Sequence, residues 1–93
     1  MEKRKTSFGE METLLEREGK IVSERLYFER EGRGHTHNVW EICYVIAGQG
    51  VIVNGEERVE VKKGDVCKIP PNAEHWMIPD PDMEVLLVYS PNP

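Results

Sequence analysis

The pattern of apolar and polar positions divides the chain into a charged beginning and a β-rich remainder. From residue 21 onward, short runs rich in Val, Ile, Tyr and Phe are separated by Gly, Pro and Asn, which is typical of strands joined by tight turns. The pattern predicts strands near residues 21–31, 40–47, 50–53, 58–61, 66–70, 75–78 and 83–89. Such short strands, without a long helix, favour a β-sandwich or a small barrel.

Turn residues mark where these predicted strands end. Asn54-Gly55 separates two apolar runs and readily supplies the positive φ angles that a tight hairpin needs. A second turn is predicted at residues 63–65. Pro70 and Pro71 must leave the sheet, because proline has no N–H to donate to a neighbouring strand.

The first part of the chain gives a weaker pattern. Residues 1–20 are highly charged, and Met11, Leu14 and Leu15 have a spacing that is compatible with a helix. We therefore expect a short helix or a loosely held arm over residues 1–20. The predicted organisation is a single domain over residues 1–93, with the β-barrel at residues 21–93.

Length and composition narrow the classes of function. A chain of 93 residues, 39% of them hydrophobic, is short for a self-sufficient core. It buries only about 60–65% of its unfolded surface, so a metal, a partner subunit or both should stabilise it. The formal net charge of -5 has the wrong sign for a protein that binds a phosphate backbone, so no nucleic acid partner is expected.

No sequence feature predicts a membrane or an export signal. The longest apolar runs have the length of strands and fall far short of the roughly 18 residues of a membrane span. The first residues lack the apolar block of a secretory signal, and two cysteines are too few for a disulfide framework. We expect no membrane partner and a location in the reducing cytoplasm.

The three histidines carry the candidate chemistry. His35 and His37 are two positions apart, so on an extended segment they share a face and both rings can approach one ion. Two exposed histidines at the end of a loop are the alternative for this pair taken alone. His75 begins a later apolar run, and a second segment of the sheet can bring its ring to the same point.

Glu41 stands at the head of the apolar run 42–46. An extended chain from His35 to Glu41 would span roughly 20 Å, so a shared ion requires a reversal, for which Asn38 is a suitable residue. An ionised glutamate at the head of a core strand is costly unless it pairs with a cation or binds a metal. A surface carboxylate at the end of a strand is the alternative. Three nitrogens and one oxygen suit a divalent transition metal and leave two positions of a six-coordinate ion open.

These residues make the chain resemble the cupins over about residues 30–80. The first cupin motif runs Gly, five residues, His-x-His, three or four residues, Glu, six residues, Gly; the positions that match are His35, His37, Glu41 and Gly48. The second runs Gly, five residues, Pro-x-Gly, two residues, His, three residues, Asn; the positions that match are Gly64, Pro70 and His75.

The chain departs from these motifs at three positions. Glu29 stands where the leading Gly of the first motif is expected, and Asn72 and Pro79 replace a Gly and the closing Asn of the second. Asn is the residue that best replaces Gly at a positive φ angle. Pro79 alters the segment that follows the histidine strand. None of the three positions is a ligand position.

The resemblance implies an all-β fold, a double-stranded β-helix or jelly-roll-like barrel that holds a metal inside and is commonly a homodimer. The implied ligands are His35, His37, Glu41 and His75, and the implied metal is a divalent ion such as Mn, Fe, Ni or Zn. Met77 lies two positions after His75 on the same predicted face, so it is the best candidate for an apolar contact in the pocket.

Two functions remain open at this point. The first is a metalloenzyme that acts on a small polar molecule, a sugar or an organic acid, by isomerase, lyase or dioxygenase chemistry. The alternative is a non-catalytic module that binds a small molecule through its metal. Because every histidine is used as a ligand, a general base would have to be metal-bound hydroxide, a lysine, or a residue such as Glu74, Tyr27 or Tyr89. This scarcity favours reactions in which the metal does most of the work.

Overall fold

The computed structural model describes residues 3–91, and within this range every regular element is a β-strand. The strands are β1 (Lys3–Lys5), β2 (Gly9–Arg17), β3 (Lys20–Phe28), β4 (Trp40–Asn54), β5 (Glu57–Lys62), β6 (Val66–Ile69) and β7 (His75–Ser90). They form one sheet in the order β1-β2-β3-β7-β4-β5, and β6 pairs with β4. The prediction of an all-β fold is confirmed. No helix long and apolar enough to cross a membrane occurs among the described residues.

The long strands β4 and β7 organise this sheet. They pair from Trp40 opposite Ser90 to Asn54 opposite His75, although the sequence predicted a break within each. The ladder continues because β-bulges absorb the irregular residues. Between Val45 and Ala47, the extra residue belongs to β4. Between Gly48 and Gly50, the extra residues belong to β7. The first half of β4 carries β6 on its other side and the second half carries β5, so the sheet wraps around a core.

The core lies on the inward face of the strands. β4 contributes Cys43 and Val45 to the core before the bulges and Ile52 after them, because one extra residue exchanges the two faces of a strand. The strands β3, β5, β6 and β7 complete the core with Leu26, Phe28, Val61, Ile69, Met77, Met83, Val85 and Leu87. Both cysteines are free.

The predicted N-terminal helix is wrong, because residues 3–17 extend the sheet as β1 and β2. Gly9 and Thr13 are buried and Met11 packs against the core, so inward positions recur every second residue, which is the period of a strand. Leu14 is an extra residue on β2, between the pairs that Thr13 and Leu15 make with β3. This bulge gives three apolar residues a helix-like spacing inside a strand.

The predicted turns are present. Asn54 pairs with Glu57 across the β4–β5 hairpin, and Gly55 has a φ angle of 63°. Asn72 has a φ angle of 67°, so it adopts the left-handed conformation for which the family motif uses Gly. The segment from Pro70 to Asn72 leaves the sheet and delivers the chain to the start of β7.

Candidate metal centre

Four side chains from two distant parts of the chain meet at one point. His35, His37, Glu41 and His75 each offer one ligand atom, and these four atoms all lie within 4.8 Å of one another. The chain bends at residues 38–39, between the two early histidines and the start of β4. The reversal predicted near Asn38 therefore occurs, and it brings Glu41 beside the His35-Thr36-His37 segment.

Backbone hydrogen bonds hold the histidine segment against β7. His35 and His75 form an antiparallel bridge, in which each N–H donates to the carbonyl of the other at 3.1 Å and 3.0 Å. The N–H of Asn72 donates to the carbonyl of His37 at 2.7 Å. Glu41 lies on β4 between β6 and β7, opposite Ile69 on one side and Tyr89 on the other.

Two of the rings are oriented by hydrogen bonds on the side away from the cluster. His35 Nδ1 donates to the carbonyl of Arg33 at 3.0 Å, and His75 Nδ1 donates to the carbonyl of Ala73 at 3.0 Å. A neutral imidazole that carries its hydrogen on Nδ1 has a free lone pair on Nε2. This is the arrangement that metal-binding histidines use in proteins.

The buried polar atoms of the cluster test whether a cation fits. Nε2 of His37, Nε2 of His75 and both carboxylate oxygens of Glu41 are buried and have no hydrogen-bond partner among the described residues. His75 Nε2 lies 2.9 Å from one Glu41 oxygen, and His37 Nε2 lies 3.6 Å from the other. Lone pairs this close repel unless a proton or a cation lies between them. One divalent ion would satisfy all of these atoms, so the residues present fit a transition metal.

A proton and a metal cation compete for the buried ligand atoms of the cluster. Burial lowers the pKa of His37, so its ring is readily neutral. Burial also acts to lower the pKa of His75, but the adjacent carboxylate of Glu41 outweighs it, and the pKa lies above its ordinary value of 6.5. In the metal-free protein, a proton on His75 therefore lies between its Nε2 atom and the Glu41 carboxylate, where a cation would otherwise bind.

This competition predicts that metal affinity rises with pH. Because the ligands must be deprotonated to bind, a cation displaces the His75 proton below the raised pKa of that ring. We expect the apparent affinity for Zn²⁺ to increase by up to about tenfold per pH unit until the pH passes the raised pKa of His75, which lies above 6.5, and to level off at higher pH. Calorimetric titrations in buffers of different ionisation enthalpy measure both the affinity and the protons released. A constant affinity with no proton release would contradict the prediction.

The cluster forms part of the wall of a cavity of about 330 Å³. Most of the remaining wall is apolar, and its main side chains are Phe8, Met11, Leu26, Phe28, Met77 and Leu87. Met77, the predicted pocket residue, lies on this wall and is only 3% exposed. Phe8 stacks on Phe28 with ring centroids 4.4 Å apart, so the N-terminal segment closes part of the cavity.

Two polar residues, Glu24 and Tyr89, also line the cavity; the sequence did not indicate Glu24, and it indicated Tyr89 only as one of several possible bases. The Tyr89 hydroxyl donates to Oε1 of Glu24 at 2.5 Å, and the tyrosine ring lies 5.0 Å from the ring of His37. Burial and this hydrogen bond raise the pKa of Tyr89 well above its ordinary value. Neither Tyr27 nor Glu74, the other side chains considered as bases, is among the residues that line the cavity.

Comparison with known families agrees with this geometry. A family model described as the cupin domain matches residues 28–89, about two thirds of the chain. The chain belongs to the cupin family. The matched segment contains all four residues of the metal cluster, whereas β1 and β2 of this cupin lie outside it.

One curated relative has a named activity. This cupin is 40% identical over 58 residues to the acireductone dioxygenase of Leptospira biflexa, a match that covers 58% of this chain and 33% of that protein. The chain spans a third or less of the length of the curated relatives it matches.

Solved structures of similar shape cover more of the chain. A cupin-like protein of Thermotoga maritima has a TM-score of 0.79 and 24% identity, covering 95% of this cupin and 79% of that protein. This likeness shows the fold. Another protein of Thermotoga maritima, described as a predicted oxalate decarboxylase, has a TM-score of 0.75 and 28% identity, covering 86% of this cupin and 77% of that protein.

Proposed function

We propose that this cupin is a divalent-metal-dependent enzyme that acts on a small molecule bound in the 330 Å³ cavity. The observation that carries the proposal is the cluster of His35, His37, Glu41 and His75 in the wall of that cavity. Their buried ligand atoms lack other partners, and a concave, largely apolar pocket with a few polar groups is the usual form of a small-molecule site.

The metal ligands and the apolar wall of the cavity have different roles in this proposal. When bound, a divalent ion supplies a Lewis acid with coordination positions beyond those that four side chains fill. The chain keeps the His35 and His75 rings in a fixed orientation through their Nδ1 hydrogen bonds. The apolar side chains of Leu26, Phe28 and Met77 exclude water from the reacting groups and so strengthen electrostatic interactions there.

Among the reactions open to such a site, we propose dioxygenase chemistry. The local similarity to a protein named acireductone dioxygenase supports it, and that match is limited to 58 residues. The scarcity of bases supports it too, since Glu24 and Tyr89 are the only Asp, Glu, Lys or Tyr side chains that line the cavity apart from Glu41, among the described residues. A dioxygenase consumes one O₂ for each substrate molecule and places both oxygen atoms in the products.

An oxygen electrode tests this proposal. Protein reconstituted with Fe²⁺ should consume oxygen when enediols, diketones, catechols or thiols are added, and the His37→Ala variant prepared in the same way should not. The exposed Lys68→Ala variant is the matched control and should behave as wild type. If no compound causes uptake, dioxygenase chemistry is refuted and isomerase or lyase chemistry takes its place. If a compound stabilises only the metal-loaded protein and is never turned over, the binding-module alternative replaces the enzyme.

We also propose that the functional form is a homodimer. Tyr44 and Val66 pair directly on the outer face of β4 and β6 and are 43% and 57% exposed, which is unusual for large apolar side chains. A second copy of the chain would cover them. A cytoplasmic location stays a prediction from the sequence.

Light scattering during gel filtration should give a mass about twice the 10.7 kDa of one chain. The Val66→Glu variant should elute as a monomer, because a charge in an apolar interface is costly. The Leu15→Glu variant changes an exposed apolar residue on β2 and should remain dimeric. A monomeric wild-type protein would refute the proposal.

A further inference from the structure

Glu24 places a second buried carboxylate in the wall of the cavity. It is 5% exposed, and it follows the alternation of Leu26 and Phe28 on the inward face of β3. One of its oxygens accepts the Tyr89 hydroxyl, but the other, Oε2, is buried without a hydrogen-bond partner among the described residues. A buried carboxylate oxygen without a partner is unfavourable, so this atom lacks a donor that a ligand can bring.

The sheet fixes Glu24 on the far side of Tyr89 from the metal cluster. The strands lie in the order β3-β7-β4, Tyr89 is directly opposite Glu41, and Glu24 is opposite Leu87, one inward position before Tyr89. Tyr89 therefore stands between the two carboxylates and packs on the ring of His37. Glu24 is itself among the residues that line the cavity, so its unpartnered carboxylate lies where a bound ligand can donate to it.

The charges around the cavity restrict what that ligand can be. Arg33 is the only Lys or Arg among the described residues that line the cavity, and it is exposed. A ligand with two carboxylates would meet the metal with one, but its second would face Glu24 with no buried cation to neutralise it. Like charges repel strongly where water is excluded. A neutral ligand with a hydroxyl group instead supplies the donor that Glu24 lacks.

We infer that Glu24 selects the substrate by accepting a hydrogen bond from its hydroxyl group, while an adjacent carbonyl or enol oxygen faces the metal cluster. The substrate class is a small neutral α-hydroxyketone or enediol whose hydrocarbon part lies on Phe28 and Met77. Tyr89 is a positioning residue, since its hydrogen bond occupies one oxygen of Glu24 and leaves the other for the ligand. This inference rests on the proposed function, because it concerns the same cavity.

Equilibrium binding to the Co²⁺-loaded protein tests the inference without any turnover. The probes are acetoin, an α-hydroxyketone, and its methyl ether, which keeps both oxygens but has no hydroxyl donor. Cobalt absorption spectra report binding of each probe. We expect wild type to bind acetoin at least about tenfold more tightly than the methyl ether, since a hydrogen bond to a buried carboxylate gives discrimination of that order.

The variants separate recognition from folding. Glu24→Gln should keep one cobalt per chain and reduce the preference for acetoin to about threefold or less. Glu84→Gln is the matched control, because Glu84 pairs with Arg25 away from the cavity, and it should leave the preference unchanged. Tyr89→Phe should weaken the preference with cobalt still bound, whereas a purely structural role would lower only the melting temperature.

The inference fails if wild type binds acetoin and its methyl ether equally, or binds neither, or if Glu24→Gln and Tyr89→Phe both keep the full preference. Failure of the proposed function is a separate result. It consists of hydroxyl-selective binding without turnover of any substrate, or of a chain that holds no cobalt at all.

Discussion

Replacing His75 with alanine should abolish stoichiometric metal binding. His75 is 1% exposed, its Nε2 atom is one of the buried ligand atoms without a partner, and it is the only ligand that comes from β7. We expect the affinity for Zn²⁺ to fall by at least about 100-fold, since even second-layer residues that only orient ligands contribute 10–100-fold. Inductively coupled plasma mass spectrometry of the dialysed protein measures the metal bound per chain.

The same variant should lose the stabilisation that metal gives to the native state. At a free metal concentration about 100 times the dissociation constant, binding stabilises a protein by about 2.7 kcal/mol, which in a domain of this size raises the melting temperature by roughly 10–20 °C. His75→Ala should show no such rise. Met77→Ala, two positions along the same strand, is the control, because it removes a buried side chain and should keep the rise. One metal ion per chain in His75→Ala would refute its assignment as a ligand.

Gly48→Ala should be strongly destabilising, because it has both a conformational and a steric cost. Gly48 has a φ angle of 74°, and a Cβ atom there would lie 2.3 Å from the backbone oxygen of Asp82 on β7. The left-handed conformation alone costs about 1–2 kcal/mol for alanine. Forcing β4 and β7 apart should add about 1–3 kcal/mol, which is a large part of the stability of a small domain.

Gly55→Ala is the matched control for this substitution. Gly55 has a φ angle of 63°, but no atom lies within 4 Å of the position of its Cβ, so only the conformational cost applies. Thermal unfolding followed by circular dichroism should place Gly48→Ala roughly 5–20 °C below Gly55→Ala. Equal melting temperatures would mean that the close approach of β4 and β7 at this bulge is not a constraint on stability.

The set of four ligands followed from the resemblance to the cupin motifs, because the pattern alone left two exposed histidines as an alternative for His35 and His37. For Glu41 the pattern went further, since an ionised glutamate at the head of an apolar strand is costly without a cation. The same reasoning applied to Glu24 would have placed it inside, since it alternates with Leu26 and Phe28. Its partner Tyr89 is 65 positions away and becomes identifiable only from the pairing of β3 with β7.

The length of the strands and the role of the N-terminal segment were not predictable from the local pattern. The sequence predicted that one strand ends at residue 47 and the next begins at residue 50, but bulges keep β4 continuous across this interval. On β2, the bulge at Leu14 gave the apolar residues of a strand the spacing expected of a helix. The contribution of Phe8 and Met11 to the cavity depends on pairing with β3, a tertiary contact that propensity does not encode.

Diffraction from crystals grown with zinc, measured on both sides of the zinc absorption edge, tests the assignment of the metal centre most directly. We expect one strong anomalous peak per chain, about 2.0–2.2 Å from Nε2 of each histidine and from an oxygen of Glu41. A peak that lies on other residues, or a fully zinc-saturated solution that gives no peak between these four side chains, would contradict it.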